Sequence, residues 1–76
     1  ELISALYGED GNPKRQMDIK SKIQKELDSM QYDFSVTNKL AGKDPAGGVV
    51  KILNLKYKLN GKTYSKKIRE NGVVSF

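Results

Sequence analysis

The segment VVKILNLKYKLNGKTYSKKIR, residues 49–69, decides the fold. Its centre is Asn60-Gly61, the pair that tolerates the two positive φ angles of a type I′ turn and therefore marks a two-residue β-hairpin. Such a turn fixes the register: Leu59 faces Lys62, Tyr57 faces Tyr64, Leu55 faces Lys66 and Leu53 faces Ile68. Side chains alternate along a strand, so Leu53, Leu55, Tyr57, Leu59, Tyr64 and Ile68 share one face. Asn54, Lys56, Lys58, Thr63, Ser65, Lys67 and Arg69 share the other, with Ile52 as its apolar exception. A one-residue slip would bury the lysines, so the apolar face is committed to the core. Lys66 falls on that face and is expected at a sheet margin with its amine in water.

Outward from the hairpin, residues 1–7 read as a first strand, with Ile3, Ala5 and Tyr7 on one side and Leu2 and Leu6 on the other. Residues 8–13 form a loop punctuated by glycine, asparagine and proline. Ile19, Ile23, Leu27 and Met30 recur at helical spacing and predict an amphipathic helix from about Asp18, whose carboxylate caps it, to Met30. A longer helix with Pro13 in its first turn is the alternative. Residues 32–38 alternate, with Tyr32, Phe34 and Val36 on one face, and predict a half-buried strand. Residues 39–48 carry Gly42, Pro45, Gly47 and Gly48 and read as a connection without helix or strand. Asn71-Gly72 offers a second turn before a last strand at residues 73–76.

The expected order is β-α-β-β-β-β. The expected fold class is α+β: an antiparallel sheet with one amphipathic helix packed on one face. Ile19, Ile23, Leu27, Phe34, Leu53, Leu55, Tyr57 and Ile68 form the expected core.

The 76 residues suffice for one small domain, whose margin of stability is thin. There is no cysteine and no histidine, which excludes disulfides, thiolate chemistry, an imidazole base and the usual zinc ligands. No apolar run approaches a transmembrane span. The start at Glu1 fits a processed protein or a domain cut from a longer one, cytoplasmic or exported from a bacterium. The formal charge of +5 suits solvation, and it also suits an acidic partner.

Several fragments carry a resemblance. Ala5-Leu6-Tyr7-Gly8, Asp18-Ile19-Lys20, Gly42-Lys43-Asp44-Pro45 and Lys51-Ile52-Leu53 with Tyr57, followed by Gly61 and Glu70, span most of the chain. Together they resemble a small domain of uncharacterised function found at the C-terminus of some J-domain proteins and in other modular proteins. Lys20 departs from that pattern, which has threonine there. The resemblance implies a non-catalytic accessory or interaction role and supplies no active residues.

Carboxylate pairs are the remaining route to catalysis, with Glu9, Asp10, Asp33 and Asp44 as candidates; solvated loops are the stronger reading. Asp10-Gly11-Asn12 lacks the run of ligands of a calcium loop, and Gly47-Gly48 lacks the ending of a phosphate loop. No cofactor is expected.

Lys56, Lys58, Lys67 and Arg69 form a positive strip that suits a polyanion, but the strip has no aromatic platform for stacking bases. Lys43 and Asp44 are the candidate contacts if the 39–48 connection binds instead. A protein partner or an adjacent domain is the leading expectation. Strand addition, or a homodimer through a sheet edge, is the physical route. A glycan in an exported setting and protease inhibition by analogy with cystatin-like shapes are lesser alternatives.

Overall fold

The computed structural model describes residues 1–75; Phe76, the end of the expected last strand, lies outside the described residues. The fold is α+β, with two antiparallel sheets and a principal helix. Strands β1 (Leu2–Gly8), β2 (Gln16–Asp18), β4 (Ile52–Leu59) and β5 (Lys62–Arg69) form one sheet in the order β2-β1-β4-β5. Strands β3 (Asp33–Ser35) and β6 (Val73–Ser75) pair as a separate ribbon. Helix α1 (Lys20–Asp28) precedes β3, and a single-turn helix α2 (Asn38–Ala41) follows it.

The β4–β5 register is the one set by the turn: Leu59 pairs with Lys62, Tyr57 with Tyr64, Leu55 with Lys66 and Leu53 with Ile68. Asn60 and Gly61 have φ of 52° and 80°, as type I′ requires. The inner face of this sheet supplies Leu2, Ala5, Tyr7, Leu53 and Leu55 to the core. Ile19 and Ile23 from the helical segment cover it, together with Val36 and Val74 beside the β3–β6 ribbon.

Several local differences separate the structure from the sequence expectation. Strand β1 contains a bulge between Leu2 and Ser4, which pair with consecutive residues Tyr57 and Lys56. The extra residue reverses the alternation, so Leu2 joins Ala5 and Tyr7 inside while Ile3 turns to solvent. Pro13 opens a 3-10 turn, Pro13–Arg15, and not an α-helix; the turn delivers the chain into β2, an edge strand of three residues. Helix α1 is shorter than its apolar spacing suggests at both ends: Asp18 closes β2 and takes only the Lys20 amide, at 2.8 Å, leaving Ile19 as the N-cap, and at the far end Met30 adopts φ 60°. The amides of Met30 and Gln31 then close back onto Leu27 and Glu26, and Met30 leaves the apolar stripe exposed. In the 39–48 connection, Thr37 accepts from the Leu40 amide and Gly42 takes a left-handed φ of 93°, which together cap α2. Tyr32 lies outside β3 and is exposed.

Candidate functional site: the hairpin and its uncovered end

The geometry of the hairpin follows from a mismatch of lengths. A helix of nine residues is about 13 Å long, whereas a strand of eight spans about 27 Å. Helix α1 can therefore shield only part of the ribbon. Leu53 and Leu55 are buried in one cluster with Ile19 and Ile23. Tyr57 is half-buried, and beyond it Leu59 and Tyr64 are 55% and 42% exposed. These side chains do point to the inner face, but nothing in the described fold covers the outer two. Tyr57 and Tyr64 stack on one another, with ring centroids 5.6 Å apart and planes at 21°. The ammonium of Lys66 lies 5.8 Å from the Tyr57 centroid and donates to the Ser75 carbonyl at 2.9 Å, so its expected solvation at the margin is supplemented by protein acceptors. Beside this pair an open notch of about 210 Å³ is lined by Leu2, Leu27, Tyr57, Leu59 and the stems of Lys58 and Lys66.

On the opposite face the structure places Lys56, Lys58, Lys67 and Arg69 together, all exposed. The strip is less positive than its sequence implies. Asp10, from the loop after β1, reaches Lys67 Nζ at 3.1 Å and accepts from Asn54 Nδ2 at 3.3 Å. The Lys67 and Asn54 hydrogen bonds hold the Asp10 carboxyl below its usual range. Leu6, paired with Asn54, is exposed on the same face, and the bulged Ile3 is exposed as well. The face carries no aromatic residue among these positions.

The loop candidates separate. Lys43 and Asp44 are both exposed, but Asp44 is also engaged: its Oδ1 lies 3.0 Å from Lys51 Nζ and accepts from the Ala46 amide at 3.1 Å. Lys51 is buried, with only 4% of its surface accessible. Its ammonium also lies 3.4 Å from Glu70 Oε1 and donates to the Val49 carbonyl at 3.0 Å. Hydrogen bonding to Asp44 raises the Lys51 pKa against the cost of desolvation, and the reciprocal bond lowers that of Asp44. Close to this group, Tyr7 donates its hydroxyl to Asn38 Oδ1 at 2.6 Å. Burial first, and the Glu70 charge second, push the Tyr7 phenol above its ordinary value. Arg15 donates to the Gly47 carbonyl at 2.9 Å from the other side. These interactions anchor the glycine-rich connection, and Asp44 takes part in them while 40% of its side chain stays accessible.

The sequence contained a signal for Lys51, since it has the same parity as Leu53 and Leu55 and therefore points inward. The remaining carboxylates have separate partners. Glu9 accepts from Asn12 and lies 3.8 Å from Arg15, and Asp33 accepts from Ser75 Oγ. Among the described residues no cluster of three or more acidic side chains forms a metal site, and no helix is long and apolar enough to cross a membrane.

The chain has no match among protein-family models, curated proteins or solved structures.

Proposed function

We propose that this domain is a non-catalytic interaction module that binds another polypeptide through the β4–β5 hairpin. The observation that carries the reading is the exposed inner end of the hairpin, where Leu59 and Tyr64 extend past the shielding helix beside an apolar notch. Exposed aromatic and aliphatic surface grouped beside a concavity is the kind of surface that a protein partner buries.

The test is capture in the source cell with a photo-reactive residue placed at Leu59, compared with one placed at Lys43. The reading expects a discrete crosslinked polypeptide from Leu59 that is lost on Tyr64→Ser and is not obtained from Lys43. Equal labelling from both positions, or none from Leu59, rejects it.

A second reading, polyanion binding, is favoured by the shared face of Lys56, Lys58, Lys67 and Arg69. It expects retention on generic DNA or RNA at low salt that vanishes for Lys56→Glu combined with Lys67→Glu. Absence of retention at low salt removes it.

A further inference from the structure

Among the described residues, the β5 strand has one side engaged and one side open. In a two-residue hairpin the residues flanking the turn exchange both backbone hydrogen bonds, and every second pair after them does the same. Lys62, Tyr64, Lys66 and Ile68 therefore direct their N–H and C=O groups at β4. Thr63, Ser65 and Lys67 direct theirs away from it. The phase is checked at Lys58, opposite Thr63: its amide donates to the Glu1 carbonyl at 2.7 Å, and its carbonyl accepts from the Glu1 amine at 2.6 Å, both on the β1 side. At the far end of the open side, the Arg69 carbonyl is already taken by the Gly72 amide at 2.8 Å. Between these limits, β5 has no strand partner other than β4 among the described residues. Three donors and three acceptors thus lie along an unbulged edge.

The side chains along this edge select what could pair with it. From Ile52 to Arg69 the hairpin carries Lys56, Lys58, Lys62, Lys66, Lys67 and Arg69 and no acidic residue. Lys67 and Arg69 flank the edge on one face, while Lys62 and Lys66 flank Tyr64 on the other. Lysines at a sheet edge oppose pairing with neutral or basic strands. A second copy of this chain would bring the same cations to the seam, and the acid on that face, Asp10, is already engaged by Lys67 of its own chain. An acidic strand reverses the sign of the interaction, because discrimination comes from repulsion of the wrong partner as much as from attraction of the right one.

We infer that β5 accepts an extended acidic segment of another polypeptide as a fifth strand, bonded to Thr63, Ser65 and Lys67, with an apolar side chain seated beside Tyr64. This rests on the interaction-module reading and specifies the chemistry of its partner.

The probes are three eight-residue peptides added to the isotopically labelled chain at low salt: alternating Glu-Val, alternating Lys-Val, and the Glu-Val peptide N-methylated at its two central residues. Saturation with the first slows amide exchange at Thr63, Ser65 and Lys67, and the other two bind roughly tenfold more weakly or worse, because one reverses the charge and the other removes ladder donors. Ser65→Pro weakens the first peptide comparably, with the unchanged amide spectrum of β1 and β4 verifying the fold. Equal affinity for the N-methylated peptide, no protection of the three amides, or a concentration-dependent β5–β5 dimer overturns the inference. A photo-reactive residue at Ser65 separates its failure from that of the broader reading. Crosslinking to a basic or helical segment overturns the acidic strand and leaves the module; no crosslink from either Ser65 or Leu59 removes both.

Discussion

Lys51 and Glu70 are joined three times: the Glu70 amide donates to the Lys51 carbonyl at 2.8 Å, the Lys51 amide donates to Glu70 Oε1 at 3.1 Å, and the Lys51 ammonium lies 3.4 Å from that same oxygen. The pair sits where the hairpin closes, and Asp44 attaches the glycine-rich connection to it. Lys51→Met keeps the buried stem and removes the charge, leaving Asp44 and Glu70 without their shared cation. The expected result is a lower unfolding temperature and faster amide exchange at Ala46 and Val49, read by thermal denaturation and hydrogen exchange. Lys43→Met, at an exposed neighbour, changes neither.

This group, together with the Asp10–Lys67 pair on the opposite face, predicts a stability plateau with two limits. Asp44 and Asp10 have depressed pKa values, so their contribution is present above the unfolded carboxylate pKa of about 4 and is lost as pH falls through the lower folded values. Lys51 and Tyr7 have raised pKa values, so theirs is complete below the unfolded values of roughly 10 and is lost as pH rises through the higher folded ones. Urea midpoints measured from pH 2 to pH 12 should decline at both ends. Asp44→Asn should flatten part of the acid limb.

Core and overhang should respond differently to truncation. Leu53 is fully buried, and Leu53→Ala is expected to cost about 2–5 kcal/mol. Leu59 shares its face but lies past the helix, and Leu59→Ala is expected to stay within about 0.5 kcal/mol. Chemical denaturation of the two variants measures the contrast directly. Comparable losses would mean that Leu59 is enclosed.

Gly8 marks the closest approach in the sheet. A Cβ placed there would stand 2.0 Å from the Arg15 carbonyl oxygen and 2.7 Å from the Gln16 Cα, both backbone atoms that cannot yield as a flexible side chain would. Gly8→Ala is expected to displace β2 and to cost at least about 1–3 kcal/mol as overpacking. Exchange at the β1–β2 amides should rise first. Gly61→Ala meets no neighbour within 4 Å, so its cost comes from φ 80° alone and should be smaller.

Much of the fold was legible because two signals agreed. Asn60-Gly61 set a register, and the alternation of Leu53, Leu55 and Tyr57 set a face; either alone would have left a choice. Strand β2 carried no such pattern, since Gln16, Met17 and Asp18 become a strand only by pairing with β1. The bulge at Ile3 was hidden because parity assumes an uninterrupted strand. Met30 hid the helix end, since a methionine in left-handed geometry gives no glycine-like stop signal. The candidate site was half legible. The basic face came together as expected, but its neutralisation by Asp10 depends on a loop contact between residues far apart in sequence. The engagement of exposed Asp44 by Lys51 was not legible from the loop, and only the inward parity of Lys51 pointed to it. The uncovered end of the hairpin required comparing the reach of two elements, which a face assignment does not do.

The bulge in β1 also makes the chain tolerant of a change in its length. Removing Ile3 would leave Leu2 and Ser4 opposite the neighbours they already face, Tyr57 and Lys56, with Ala5 and Tyr7 still directed at the core. A deletion there would regularise the strand, whereas deleting Leu6 would invert one half of it against the other. This one position can therefore absorb loss of a whole residue in a sheet that elsewhere admits no shift of phase.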